Sequence, residues 1–220
     1  MRLHLIRHGQ TDWNRLRRVQ GQLDSHLDEI GRNQARELGQ RLADVPFVTL
    51  HVSSAARTRE TADLLFEGRE LPVEYHDDLR EMNLGRWESR MWDDVEHAEP
   101  DLVRRYHAFD ATLDIDGAEG FGELQRRGLS AIDRIVRQER AAGNQDRDIA
   151  IVSHGAILRS VLAHWLDLPL SRFNGQPGLP NCAHSIVHAI SDRFRVETIA
   201  DAPVEHGLWS ELLDGSRRPR

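Results

Sequence analysis

The chain has 220 residues, a net charge of −7 and no lysine, its 29 basic residues all being arginine. That length suits one α/β domain with a sizeable core, or at most one domain plus a lid, and the negative balance disfavours a general role on nucleic acid or anionic membrane. The lack of lysine removes Schiff-base and P-loop chemistry, and a single cysteine, Cys182, excludes an internal disulfide framework and fits a reducing compartment.

Taken in order, Arg2 to Ile6 reads as a short strand that Gly9 ends. Arg7 and His8 then stand at the carboxyl end of a strand, where open α/β sheets place their ligand crevices. Gly9 to Gln22 is a polar loop. Asp28 has the signature of an N-cap for a helix running to about Ala43, with Ala35, Leu38 and Leu42 on one side. Val48 to Val52 is a strand, Ser53-Ser54 opens a turn into a helix ending near Phe66, and Pro72 to Tyr75 is a short strand. Asp78 to Glu88 is loop-like. Met91 to Gly120 reads as acidic, His-containing short helices broken by Pro100, a candidate lid. Phe121, Leu124, Gly128, Ile132 and Ile135 recur at helical spacing and predict an amphipathic helix from Phe121 to Ala142. Asp148 to Ser153 holds an apolar run without alternation, as a parallel strand buried on both faces requires. A helix follows from about Ala156 to Leu166. Ser185 to Ile190 and Phe194 to Ile199 predict a hairpin around Asp192-Arg193, and Ser216 to Arg220 is expected to be a disordered tail.

This alternation predicts an α/β three-layer sandwich: a mostly parallel central sheet, helices on both faces and a small helical lid insertion over 91–120. Residues 1–215 are expected to form a single domain. No apolar run approaches membrane-spanning length and the N-terminus lacks a signal-peptide pattern, so a cytoplasmic location is expected.

Two strands end in histidine followed by glycine, His8-Gly9 and His154-Gly155. Either pair alone reads equally well as surface decoration. Their duplication at two strand ends argues for one crevice faced by two imidazoles. Arg7 offers a fork for phosphate oxygens, and His8 a nitrogen that can act as a nucleophile. Arg57 falls near the first turn of a helix, where free amide N–H groups attract anions; Arg59 reads as solvated. Glu81, near Leu84 and Trp87, has the setting of a carboxyl kept protonated by desolvation, although a loop glutamate paired to an arginine is the commoner case. His26, His51, His76, His97, His107, His164, His188 and His206 show no metal-ligand spacing and read as surface or satisfied core residues. His184, shortly after Asn181-Cys182, is a weaker candidate for the crevice, and Cys182 reads as structural.

At this point the chain resembles the histidine phosphatase superfamily, also called the phosphoglycerate mutase-like family. The matching residues are Arg7-His8-Gly9 with Thr11 and Asn14; Gln20-Gly21, Asp24, Leu27, Gly31 and Gln34-Ala35; Ser54, Arg57-Thr58 and Glu60-Thr61-Ala62; Glu81, Gly85 and Trp87-Glu88; and Ser153-His154-Gly155. The resemblance implies that His8 is the nucleophile that becomes phosphohistidine. It implies that Arg7, Arg57 and His154 surround the phosphoryl oxygens, with Asn14, Gln20 and Gly21 in the same phosphate site. Glu81 would protonate the leaving oxygen and then prepare water. Such a site needs no metal or other cofactor, because charge on the equatorial phosphoryl oxygens is met by cationic side chains.

The sequence departs from the family at Ser89, where a glycine is common, and at Gly117-Ala118-Glu119-Gly120, where a Gly-Gly-Glu-Ser stretch is common. No catalytic role is assigned to Glu119. The segment Glu81-Met82-Asn83-Leu84-Gly85 lacks the Glu-Arg-x-Tyr-Gly pattern of the mutase branch, and the lid carries Asp93, Asp94, Glu96 and Glu99. The first expectation is therefore a cytoplasmic, metal-independent phosphoric monoester hydrolase acting on a small phosphorylated metabolite. A phosphoglycerate mutase is the alternative, and a non-catalytic phospho-ligand-binding module ranks last. No nucleic-acid or membrane partner is expected, and a homodimer stays open.

Overall fold

The structure is a computed structural model that describes residues 1–172 and 179–204. It begins with β1 (Arg2–Arg7), α1 (Asp12–Arg15), α2 (Glu29–Arg41), β2 (Phe47–Ser53), α3 (Ala56–Leu65) and β3 (Val73–His76). Helices α4 (Trp92–Ala98), α5 (Pro100–His107) and α6 (Phe121–Ala141) follow, then β4 (Asp148–Ser153) and α7 (Gly155–Trp165). The described part closes with β5 (His184–Ile190), β6 (Arg193–Ile199) and β7 (Ala202–Pro203).

One seven-stranded sheet runs in the order β3-β2-β4-β1-β5-β6-β7. The first four strands are parallel, and β5 to β7 extend the sheet antiparallel. Alternation along the central strands supplies both faces. Leu3, Leu5, Ile149 and Ile151 pack with Ile132, Ile135, Val161 and Leu162 of α6 and α7. Ile6, Ala150 and Val152 pack with Ala35, Leu38, Ala62 and Leu65 of α2 and α3. The expected α/β sandwich, with helices on both faces, is the observed one. None of the helices among the described residues is long and apolar enough to cross a membrane.

The segment expected as a lid folds as α4 and α5 and shares a third cluster with the main body. Val95 and Val103 pack there with Trp87, Phe121, Leu124 and Ile157. As expected, the segment is broken at Pro100: α4 ends at Ala98 and Pro100 starts α5, where its missing N–H costs nothing. The hairpin turn lies one residue earlier than its sequence suggests, at Ser191-Asp192, and Ser191 takes φ +50. Ser89 likewise takes φ +69, which accounts for a glycine being common there. The expected tail, Ser216 to Arg220, lies outside the described residues, as does the last stretch of the domain expected over 1–215.

The loop after β1 is pinned to α2. Asp28 caps that helix by accepting from the Gly31 amide at 2.9 Å, and its own amide donates to the Gln10 carbonyl at 3.0 Å. The approach is so close that a Cβ on Gly31 would lie 2.0 Å from the Gln10 carbonyl oxygen, and one on Gly9 2.6 Å from that of Gly31. Glycine to alanine inside a helix ordinarily gains about 1 kcal/mol. Here Gly31→Ala is expected to lose about 1–3 kcal/mol, the range of an overpacked core, read as a lower urea midpoint with an unchanged slope.

Candidate active site

The site is built by one register. Arg7 of β1 pairs with Ser153 of β4, so both strands end at the same level, and the next residue of each is a histidine. The imidazoles of His8 and His154 lie with centroids 5.3 Å apart at 62°. Both are buried, and burial first, then nearby arginines, holds each ring well below the usual histidine range. His8 Nδ1 faces the Gly9 carbonyl at 2.8 Å. A carbonyl can only accept, so Nδ1 carries the proton and the lone pair is left on Nε2. The His8 carbonyl is held in turn by the Cys182 amide and by Asn181 Nδ2, both at 3.1 Å.

Arg57, on the first turn of α3, is 1% exposed. Its Nη1 and Nη2 donate to the carbonyls of Leu23 and Gly21 at 2.8 Å each, and Nε donates to His154 Nδ1 at 3.2 Å. Burial pulls its guanidinium down to about 10. The other ring nitrogen of His154, Nε2, lies 2.7 Å from the hydroxyl of Ser53, the last residue of β2. Arg7 is the last residue of β1, directly before His8. Its Nη1 donates to the Leu179 carbonyl, and its buried Nε has no partner among the described residues. Gly155 lies against this guanidinium, since a Cβ there would stand 3.3 Å from Nε.

Glu81 sits at the N-terminus of α7. Its carboxylate accepts from the amides of Met82 at 2.9 Å, Ala156 at 3.0 Å and Ile157 at 3.2 Å. The sequence suggests an apolar enclosure by Leu84 and Trp87; the atoms that meet the carboxylate are backbone amides, while Trp87 is buried in the third core cluster. Asn14 is fixed through Oδ1, which accepts from Thr11 N at 3.1 Å and Thr11 Oγ1 at 3.0 Å. Gln20 Oε1 accepts from Ser25 Oγ at 2.7 Å. Gly21 has φ +52, and its carbonyl anchors Arg57.

Arg7, His8, Asn14, Gln20, Gly21, Arg57 and Glu81 line one cleft of about 320 Å³, and His154 and Ser53 are fully buried outside its lining. Its mouth adds Arg17, Arg18 and Arg159 beside the rings of Trp13, Trp92, Tyr106 and His107. Five arginines against one carboxylate make the local positive field that the net charge of −7 demands. A larger hollow of about 830 Å³, between Phe109, Gln125, His164 and Leu168, has no arginine among its described lining residues, which include Asp110 and Asp167.

The lid acids are paired to arginines, Asp93 and Glu96 to one that lines the cleft. Asp93 and Glu96 pair with Arg17 at 3.2 and 3.4 Å, and Glu99 holds Arg86, Arg90 and the Trp87 indole. The lid thus presents aromatic side chains to the cleft. Glu119 is bound by Arg127. His184 is turned away from the crevice, with its Nε2 2.8 Å from His4 Nδ1. Cys182 is buried, and burial pushes its thiol up to about 12. Arg59 lies over the Tyr75 ring at 4.4 Å. Trp13, Arg17, Arg18, Trp92 and Tyr106 line the cleft without any sequence signal, His107 lines it although its sequence context reads as surface or core, and Ser53, which meets His154, is legible only as a turn residue.

The sequence profile of the histidine phosphatase superfamily (branch 1) matches residues 3–202. A metal-independent phosphoserine phosphatase of Arabidopsis thaliana is 27% identical over 222 residues, covering 98% of this chain and 88% of that protein. A protein of Erwinia tasmaniensis named as a probable phosphoglycerate mutase, GpmB, is 33% identical over 225 residues, covering 99% of this chain and 100% of that one. The solved structure of a mycobacterial glucosyl-3-phosphoglycerate phosphatase complexed with VO3 matches with a TM-score of 0.79 at 30% identity, covering 91% of this chain and 98% of that chain. Because the profile spans nearly the whole chain and the same fold recurs in that solved structure, the chain belongs to the histidine phosphatase superfamily.

Proposed function

We propose that the protein hydrolyses a small phosphomonoester without a metal, through a phosphohistidine on His8. The observation that carries this reading is the convergence of Arg7, His8, Arg57 and Glu81 on one cleft, with buried His154 packed against His8 and Arg57. The neutral ring of His8 attacks phosphorus through Nε2, and the bond from phosphorus to the ester oxygen breaks. Glu81, in its protonated form, gives its proton to the leaving alkoxide. As a carboxylate it then takes a proton from water, which attacks the phosphohistidine and releases inorganic phosphate and free His8. Arg7 and Arg57 meet the charge on the equatorial oxygens, where positioning and electrostatics supply most of the rate, and His154 joins them by turning its Nε2–H from the Ser53 hydroxyl to the phosphoryl group. Asn14 adds its Nδ2 donor, since Oδ1 is taken up within the loop. Gln20 and Gly21 border the same phosphate site.

The sequence after Glu81 supports hydrolysis over transfer, because Met82-Asn83-Leu84 supplies no basic group there. The likeness to a protein named for phosphoglycerate mutase activity keeps transfer as the second reading. Activity that depends on a bisphosphoglycerate would identify it. A catalytically inert binding module is the weakest reading, since each side chain that the hydrolytic steps use is present.

Hydrolysis of p-nitrophenyl phosphate tests the proposal. His8→Ala should retain the fold and lose turnover together with the alkali-stable phosphoenzyme. Glu81→Gln should lose roughly 10²–10⁴ in rate. The wild-type rate should persist in excess EDTA; strict magnesium dependence or a turning-over His8→Ala variant would contradict the mechanism.

A pH dependence follows from the two depressed imidazoles. In the unfolded chain His8 and His154 take up protons near about pH 6.5. The folded chain keeps them neutral, so it binds fewer protons and loses stability as pH falls below that value towards the depressed folded pKa values. The urea midpoint is therefore expected to drop on acidification from about pH 7 to about pH 5. The drop should be shallower in His8→Gln, and a parallel drop in that variant would show that these rings do not carry it.

A further inference from the structure

Away from the cleft, at the edge of the sheet, His51 of β2 converges with Glu74 and His76 of β3. Glu74 and His76 are two residues apart on one strand and so share a face. The strand register places His51 opposite Glu74. His51 Nδ1 lies 2.9 Å from His76 Nε2, and Glu74 Oε2 lies 3.9 Å from each of those nitrogens. Ligands bound to zinc at about 2.0–2.1 Å in a tetrahedron stand about 3.4 Å apart. The three atoms are therefore within about half an ångström of a common coordination shell.

Helix α6 braces the set from behind. Buried Glu139 accepts from His51 Nε2 at 2.9 Å, and its second oxygen is held by Asn144 Nδ2 at 2.6 Å. This fixes the proton on Nε2 and leaves the Nδ1 lone pair facing His76. A carboxylate behind an imidazole is the usual second layer of a metal site. Gln138 Nε2 donates to Glu74 Oε1 at 2.6 Å, which leaves Oε2 as the free ligand atom. Glu74, Glu139 and Asp78 against Arg134 leave two net negative charges around the point of convergence.

We propose that His51, Glu74 and His76 bind one divalent transition-metal ion, zinc by their donor set, with water as the fourth ligand on the exposed side of Glu74. The ion clips edge strand β3 to β2 and takes no part in phosphoryl transfer. Metal entry moves the His76 proton from Nε2 to Nδ1. Arg134, whose Nη2 lies 3.4 Å from that Nδ1, gives up this weak contact and keeps its pair with Asp78. The site stands behind the cleft: His76 pairs in register with Ser53, whose hydroxyl meets His154.

The test uses tag-free full-length protein, stripped with chelator, desalted and titrated with cobalt(II). One equivalent should produce the visible absorption of tetrahedral cobalt, and zinc should bleach it and raise the melting temperature. His76→Gln and the milder, solvent-facing Glu74→Gln should each weaken binding by about tenfold or more. Both should leave p-nitrophenyl phosphate hydrolysis unchanged, which separates this site from the proposed reaction. Absence of stoichiometric binding, or binding that survives both substitutions, would reduce the cluster to a hydrogen-bonded imidazole pair and overturn the proposal.

Discussion

The register between β1 and β4 is the constraint on which everything else rests. Opposing Arg7 to Ser153 brings two strands to an end together. Each chain then turns with a histidine at the turn, and the rings meet above the sheet edge. A slip by one residue would send alternate side chains to the opposite layer, exchanging Leu3 and Leu5 with the residues that face α2 and α3. The hydrophobic core and the histidine pair are thus specified by the same pairing. Neither can be changed without the other.

Burying two guanidiniums beside two imidazoles is costly, and the structure shows how the cost is distributed. Arg57 is solvated by the carbonyls of Gly21 and Leu23 in place of water. Arg7 keeps a buried Nε without a partner among the described residues, and a Cβ at Gly155 would come within 3.3 Å of it. Such a group is destabilising until a negative charge arrives. The cleft is therefore held ready by the rest of the fold, with little reorganisation left for the moment of binding.

Much of this was legible in the sequence because it depends on local pattern. The buried strand at 148, the Asp28 cap and the paired His-Gly strand ends follow from neighbours in the chain, and the structure bears them out. What escaped depends on contacts between distant segments. Ser53 meets His154 across 101 positions, and nothing local marks it. The surroundings of Glu81 were misjudged for the same reason: Leu84 and Trp87 are near in sequence, yet the groups that meet the carboxylate include two amides 75 and 76 residues away. Composition made the lid look acidic, and only the placement of Arg17, Arg86 and Arg90 shows Asp93, Glu96 and Glu99 paired to arginines.

Helix α7 serves several parts of the cleft at once. Its N-cap is His154, its first residue abuts Arg7, and its next two amides hold Glu81. The proposed anion cradle and the proposed proton donor, Glu81, thus hang from one rigid rod. A tilt of that rod displaces them jointly, so their mutual spacing survives a disturbance that would scatter groups mounted on separate loops. Variants along the distant, sheet-packed length of α7 should accordingly leave the relative geometry intact while altering how the whole assembly addresses His8.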